Sequence, residues 1–228
     1  MAGTRLDDIA AALDDPPQVH ISDEARLNAP GGVWLTERGL YEWIADVFPE
    51  GGTSLETGLG VSTVLLAKWA SRHTCITPTG QEIERLGSYL DDRAVDREQL
   101  NMVCGDSTQV LPSWAGYPLD LFLIDGGHGF PVPIIDWFYG AARVKHGGIV
   151  VLDDMNLESV SLGLADFLTR DDRWERVAGD VKWTAYQRAG DGPLGEEWDR
   201  QPFLTTRRSD RLPRMLRPAA IRVNRLLR

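Results

Sequence analysis

Two periodicities organise the hydrophobic positions of this 228-residue chain. Up to about residue 50 they recur at helical spacing. Leu6, Ile9, Ala10 and Leu13 form one stripe, and Leu40, Trp43, Ile44 and Val47 form another in a helix predicted over Thr36 to Val47. Asn28 to Gly32 between them reads as a loop. From Thr53 short apolar runs alternate with amphipathic stretches, the pattern of a parallel sheet with helical crossovers. It predicts strands at Ser54 to Thr57, His73 to Thr77, Leu100 to Cys104, Leu119 to Ile124 and Gly148 to Leu152. Helices are expected at Val61 to Ser71, Gln81 to Asp91, Pro131 to Val144 and Leu157 to Leu168. Trp174 to Ala178 and Lys182 to Arg188 flank Gly179-Asp180, a pair that favours a hairpin, so the parallel sheet should end in an antiparallel pair. The chain thus divides into a helical cap (1–50), an α/β domain (51–190) and a tail (191–228) without internal repeats.

Composition narrows the function classes. With 43% apolar residues the chain can bury a real core, and 34 acidic against 24 basic residues leave a net charge of −10. A binder of phosphate backbones needs a clustered basic face, so nucleic acid is not expected as a partner. Cys75 and Cys104 cannot make a disulfide framework, and a reducing cytoplasm fits them best. The amino terminus lacks the basic-then-apolar pattern of a secretory signal, and no run of about 18 apolar residues occurs, so a soluble protein without a transmembrane segment is expected. Eight arginines crowd the last 28 residues against one acid, Asp210. A tail docked on the acidic body of its own or a neighbouring subunit is the plainer reading, an anionic membrane surface or partner the other. The helical amino terminus and this tail favour a homo-oligomer.

Four strand ends carry the candidate chemistry. Ser54-Leu-Glu56-Thr57-Gly58-Leu-Gly60-Val-Ser62-Thr63 is a strand, a glycine turn and a helix start, whose free N–H groups suit a nucleotide-like ligand. An ordinary strand-to-helix turn would look similar, and no Gly-Lys-Ser/Thr follows to make it a phosphate-binding loop. Cys104-Gly-Asp106-Ser107 offers a carboxylate and a hydroxyl for a base or ribose, or a helix cap. Ile124-Asp125-Gly-Gly-His128 and Leu152-Asp153-Asp154 end two further apolar strands.

In open α/β sheets the carboxyl ends of the strands line the ligand crevice, so Asp125, Asp153 and Asp154 should converge although 28 residues separate the first two. Three carboxylates without a nearby Lys or Arg repel one another, and a hard divalent cation, Mg²⁺ above all, is the usual remedy. Alternatively two of them cap a helix or hold cofactor hydroxyls. His128, on the same loop as Asp125, is the best general base in the chain, whereas His20, His73 and His146 lack acidic company of that kind.

In this order the motifs resemble those of the class I S-adenosylmethionine-dependent methyltransferases. Among these the likeness is greatest to small-molecule O-methyltransferases of the macrocin and mycinamicin type, over about residues 34 to 188. The resemblance implies a Rossmann-like, seven-stranded, mostly parallel sheet with an antiparallel last strand, helices on both faces and a helical amino-terminal extension. It implies a cofactor pocket from Glu56, Thr57, Gly58, Gly60, Ser62, Thr63, Thr77, Asp106, Ser107 and Asp125, Mg²⁺ on Asp125, Asp153 and Asp154, and His128 as base. Asp136 also matches an acidic position of the pattern, but on a helix, and is read as structural.

One departure stands out. The second strand of such enzymes usually ends in an acid for the ribose hydroxyls, where this chain has Thr77, a weaker acceptor. The expected activity is O-methylation of a small hydroxylated acceptor. The competing readings are a metal-dependent hydrolase using the same acids and a methyltransferase-fold scaffold that binds a partner through its arginine tail. Trp34, Tyr41, Trp43 and Phe130 to Trp137 are candidate lid aromatics, or core.

Overall fold

The computed structural model of the chain describes residues 4–20 and 35–190. The Asn28 to Gly32 loop, Trp34 and the arginine-rich tail lie outside the described residues. Among the described residues two helices come first, α1 (Arg5–Asp14) and α2 (Arg38–Val47). The α/β region follows as β1 (Thr53–Thr57), α3 (Val61–Trp69), β2 (Arg72–Thr77), α4 (Gly80–Asp92), β3 (Leu100–Cys104), α5 (Ser107–Val110) and β4 (Leu119–Ile124). It continues with α6 (Val132–Gly140), β5 (Val144–Leu152), a π-helical segment (Ser159–Ala165), α7 (Asp166–Arg170), β6 (Trp174–Gly179) and β7 (Thr184–Arg188).

The seven strands form one sheet in the order β3-β2-β1-β4-β5-β7-β6, parallel except where β7 pairs antiparallel with both β5 and β6. This is the architecture expected from the sequence. The strand order reverses between β1 and β4, and such a switch point opens a crevice beyond the carboxyl ends of the strands.

Burial on both faces explains the apolar runs. Leu121, Phe122, Leu123, Val150, Val151 and Leu152 are all within 1% of full burial, as strands covered by helices on each side require. Helix α3 is buried almost all round, with only Lys68 exposed, because the sheet lies under one side and the amino-terminal helices cover another. Thr4 and Asp7 form a capping box that starts α1, and Ile9 and Ala12 enter the same core as Leu65 and Leu66. Asp8 fastens α1 to α3: it pairs with Lys68 and accepts from Trp69 Nε1 at 2.9 Å. Among the described residues no helix is long and apolar enough to cross a membrane.

Several boundaries move, for local reasons. The helix expected at Pro131 to Val144 stops at Gly140, and a tight turn at Ala141–Arg143 frees Val144 to start a longer β5. The expected Leu157 to Leu168 helix is wound as a π-helix before it tightens into α7. The hairpin turn is longer than Gly179-Asp180 alone: Asp180 N–H donates to Trp183 O at 2.9 Å, so Lys182 sits in the turn rather than in β7. Trp43 stacks on Trp183 and Trp137 packs against Phe167 and Trp174, so these two are core rather than lid, whereas Phe130 is 75% exposed.

Asp8→Ala should lower stability by about 1–2 kcal/mol, because it strands the Trp69 N–H in a nearly buried position. Urea unfolding reads this, and an unchanged midpoint would show that α1 does not hold onto α3 through Asp8.

Candidate functional site

Backbone register builds the site. Thr57 lies beside Ile124, and Ile124 beside Leu152, so the next residues of the three parallel strands, Gly58, Asp125 and Asp153, leave the sheet edge side by side. The ladder runs one step further: Asp125 N–H donates to Thr57 O at 3.0 Å and Asp153 N–H to Ile124 O at 3.1 Å. Gly58 has φ +96° and so close an approach to the Asp125 carbonyl that a Cβ would stand 2.2 Å from its oxygen. No other residue type fits there. Gly60 is the opposite case, since a Cβ on it would meet nothing within 4 Å.

A cavity of about 770 Å³ opens above this edge. The glycine turn from Thr57 to Ser62, the end of β2 at Ile76 and Thr77, the start of α4, Ser107, and the loops carrying Asp125, His128, Asp153 and Asp154 line it. The size suits a nucleoside-sized ligand.

Most of the sequence-predicted residues meet in this cavity, but three do not line it. Glu56 is fully buried beneath the turn, where its carboxylate accepts from Ser62 Oγ and from Thr63 Oγ1 (2.7 Å), with His73 Nε2 at 3.4 Å. Thr63 in turn accepts from the Gly60 N–H at 3.0 Å. Glu56 and Thr63 therefore brace the glycine turn from below, and His73 has acidic company after all. Asp106 caps α5, accepting from Thr108 N (2.9 Å) and Thr108 Oγ1 (2.7 Å), which leaves Ser107 as the residue of that motif in the cavity wall.

The acids and the imidazole converge. His128 Nε2 stands 3.1 Å from Asp154 Oδ2 and 3.9 Å from Asp125 Oδ1, and the three side chains form the one trio of potential metal ligands among the described residues. Asp154 reaches it through a left-handed backbone, φ +54°, which Asp tolerates better than most residues. Ser159 Oγ, at the start of the π-helical segment, donates to the His128 carbonyl at 2.5 Å and holds the loop in place. Asp153 is not in the trio. Its side chain turns inward, 3% exposed, with Oδ1 buried and lacking a hydrogen-bond partner.

Electrostatics match this crowding. Burial, then the charges of Asp153, Glu56 and Asp154, push the Asp125 carboxyl well above the usual carboxylate range, and burial raises that of Asp153. Burial, then the charges of Asp125, Asp153 and Glu56, raise the Tyr41 phenol, which also lines the cavity. The expectation that no Lys or Arg stands nearby is corrected: Lys182 Nζ, in the hairpin turn, is 3.4 Å from Asp154 Oδ1 and donates to Leu35 O at 3.2 Å. Sequence reading missed it because it placed Lys182 in a strand. One lysine does not neutralise four carboxylates.

Asp136, on α6, is 0% exposed. Burial lifts its pKa to about 6, although the Thr57 and Ser107 hydroxyls pull the other way.

The comparisons with known proteins fit this geometry. Residues 55–155 match the family model of a methyltransferase domain. The matched span runs from β1 through the Asp153-Asp154 pair. No curated protein matches the chain significantly. Among solved structures, a Staphylococcus aureus protein described as a caffeoyl-CoA O-methyltransferase is 15% identical, with a TM-score of 0.56 over 81% of this chain and 99% of its own. A Streptococcus mutans protein, SMU.1697c, described as a methyltransferase and solved with SAH, is 8% identical, with a TM-score of 0.55 over 68% and 99%. An rRNA methylase from Streptococcus thermophilus is 13% identical, with a TM-score of 0.52 over 69% and 100%. The shared property is the fold.

A carboxyl whose pKa rises on folding contributes stability that is full below about 3.8 and is lost as pH rises through about 6. Asp136→Asn should therefore gain on the parent protein between pH 4 and pH 7, by on the order of 2 kcal/mol in urea unfolding. An equal difference at both pH values would contradict this account of Asp136.

Proposed function

We propose that the chain is an S-adenosylmethionine-dependent methyltransferase that methylates a hydroxyl of a small molecule, with help from a divalent cation. The observation that carries this reading is the single cavity wall on which the glycine turn and the Asp125, His128, Asp154 trio both lie. The residues suit both groups. Gly60 leaves open space where a ligand can come against backbone, and the orphaned Asp153 Oδ1 beside an under-neutralised cluster calls for positive charge.

When bound, S-adenosylmethionine supplies an electrophilic sulfonium methyl, and the cation supplies Lewis acidity toward the acceptor oxygen. The protein's own residues do the rest. The N–H groups at the start of α3 offer donors to the polar parts of the ligand, and Gly58 holds that turn against β4. Asp125 and Asp154 would hold the cation, and Asp153, turned inward beside them, would add its charge. An all-oxygen set of this kind suits Mg²⁺, whereas a trio that includes the His128 nitrogen suits Mn²⁺, Fe²⁺ or Zn²⁺ better. His128, poised at Nε2, takes the hydroxyl proton, and Asp154 steadies the imidazolium that results. Lys182 offsets part of the negative charge, and Leu35, Thr36 and Tyr41 wall the cavity. Most of the acceleration comes from holding acceptor and methyl donor in contact.

The fold likeness to the Staphylococcus aureus protein supports O-methylation, and Asp125, His128, Asp153 and Asp154 support the macrocin and mycinamicin type within it. The net charge of −10 supports a small acceptor over nucleic acid, notwithstanding the rRNA methylase among the fold neighbours. Two free cysteines support a cytoplasmic setting, and the arginine-rich tail supports a homo-oligomer.

Calorimetry with the full chain should show S-adenosylmethionine binding in the micromolar range, typical of cofactor concentrations in cells. Absence of binding at high micromolar cofactor would remove this reading; cation binding alone would favour the hydrolase, and neither would favour the scaffold. His128→Ala should bind cofactor like the parent protein while transfer to a hydroxylated acceptor falls by about 100-fold or more. Unchanged turnover would remove His128 as the base.

A further inference from the structure

The end of β2 lacks a carboxylate in the sequence, but not in space. The Thr77 hydroxyl, 2% exposed at that strand end, donates to Glu82 Oε2 at 2.5 Å. Glu82 stands in the first turn of α4 and leans back over the strand it follows. Its other oxygen, Oε1, is 3.0 Å from His20 Nδ1, on the segment that follows α1. Arg85, one turn further along α4, donates to Val19 O at 2.8 Å and pins that segment to the helix. His20, Thr77, Glu82 and Arg85 all line the cavity that holds the glycine turn.

The chemistry of this corner is that of an ionised acceptor. Burial works against the Glu82 charge, yet the hydrogen bonds from His20 and Thr77 and the charges of His20 and Arg85 leave its carboxyl below the ordinary Glu value. Each carboxylate oxygen can accept two hydrogen bonds. Thr77 and His20 engage one site on each oxygen, so each keeps acceptor capacity. Two hydroxyls on adjacent carbons, pointing the same way, match a pair of such oxygens.

We propose that Glu82 is the acceptor for the cis-vicinal diol of the bound ligand, the ribose of the nucleoside, and that His20 is the positioning residue that holds it there. The inference rests on the cofactor reading above and names the residue that completes it. It also makes the segment from Pro16 to His20 part of the ligand site rather than a connection between helices, and it moves the sugar-binding acid from the end of a strand to the helix after it.

The test compares two ligands, S-adenosylhomocysteine and its 2′,3′-dideoxy analogue, by calorimetry on the full chain. The parent protein should prefer the diol by about tenfold or more, as a charge-assisted pair of hydrogen bonds implies. Glu82→Gln, close in shape, should lose most of that preference while binding the dideoxy ligand within about twofold of the parent. Glu82→Asp, which keeps the charge but withdraws it, should lose it too. His20→Ala should weaken the diol ligand by about threefold or more and spare the dideoxy one, a pattern that a purely structural role cannot produce. Equal losses for both ligands, or a diol preference that survives both Glu82 variants, would overturn the proposal while leaving the cofactor reading intact. A parent protein that binds neither ligand would overturn both.

Discussion

Parallel register is the constraint on which the site depends. Because Thr57, Ile124 and Leu152 are neighbours across three strands, the residues that follow them must emerge together, whatever the chain does between. One of them is a glycine and two are acids. The glycine lets β1 and β4 meet at their ends without a side chain in the way, and that contact sets the floor of the cavity. The acids are forced into a partly dehydrated space where their charges cannot be spread.

That crowding is costly, and the protein relieves it in more than one way. Asp125 and Asp153 hold their protons more tightly than free carboxyls, Lys182 approaches from the hairpin turn, and His128 stands among the acids as a group that can accept a proton. Each response is partial, as the unpartnered Asp153 Oδ1 shows. A pocket under-supplied with positive charge favours a cationic ligand, and both a sulfonium and a divalent cation answer that description. Glu56 deepens the imbalance while remaining a structural brace, since its carboxylate is committed to Ser62 and Thr63 under the turn.

What the sequence made legible follows from how local each signal is. Apolar runs marked β4 and β5, because strands buried on both faces leave a nearly continuous apolar trace, whereas β1 has Leu55 as its one apolar residue and was marked by the glycine turn that follows it. The glycine turn, Asp125, His128 and Asp154 were readable because motif and strand end coincide. Lys182, Glu82 and His20 were not, for different physical reasons. Lys182 depends on the length of a hairpin turn, which Gly179-Asp180 does not determine. Glu82 depends on a side chain leaning back across a helix start toward Thr77, and His20 on a tertiary contact between positions 62 residues apart. Asp106 shows the converse: an acid at a strand end can be used up by the next helix, as Thr108 does to it.

The most direct measurement is the anomalous signal of Mn²⁺ in crystals grown with that ion and S-adenosylhomocysteine. The account predicts one strong peak about 2.2 Å from carboxylate oxygens of Asp125 and Asp154, with the nucleoside lying along Gly58 to Gly60 in the same cavity. A cation bound elsewhere, or a nucleoside density absent from the glycine turn, would contradict it.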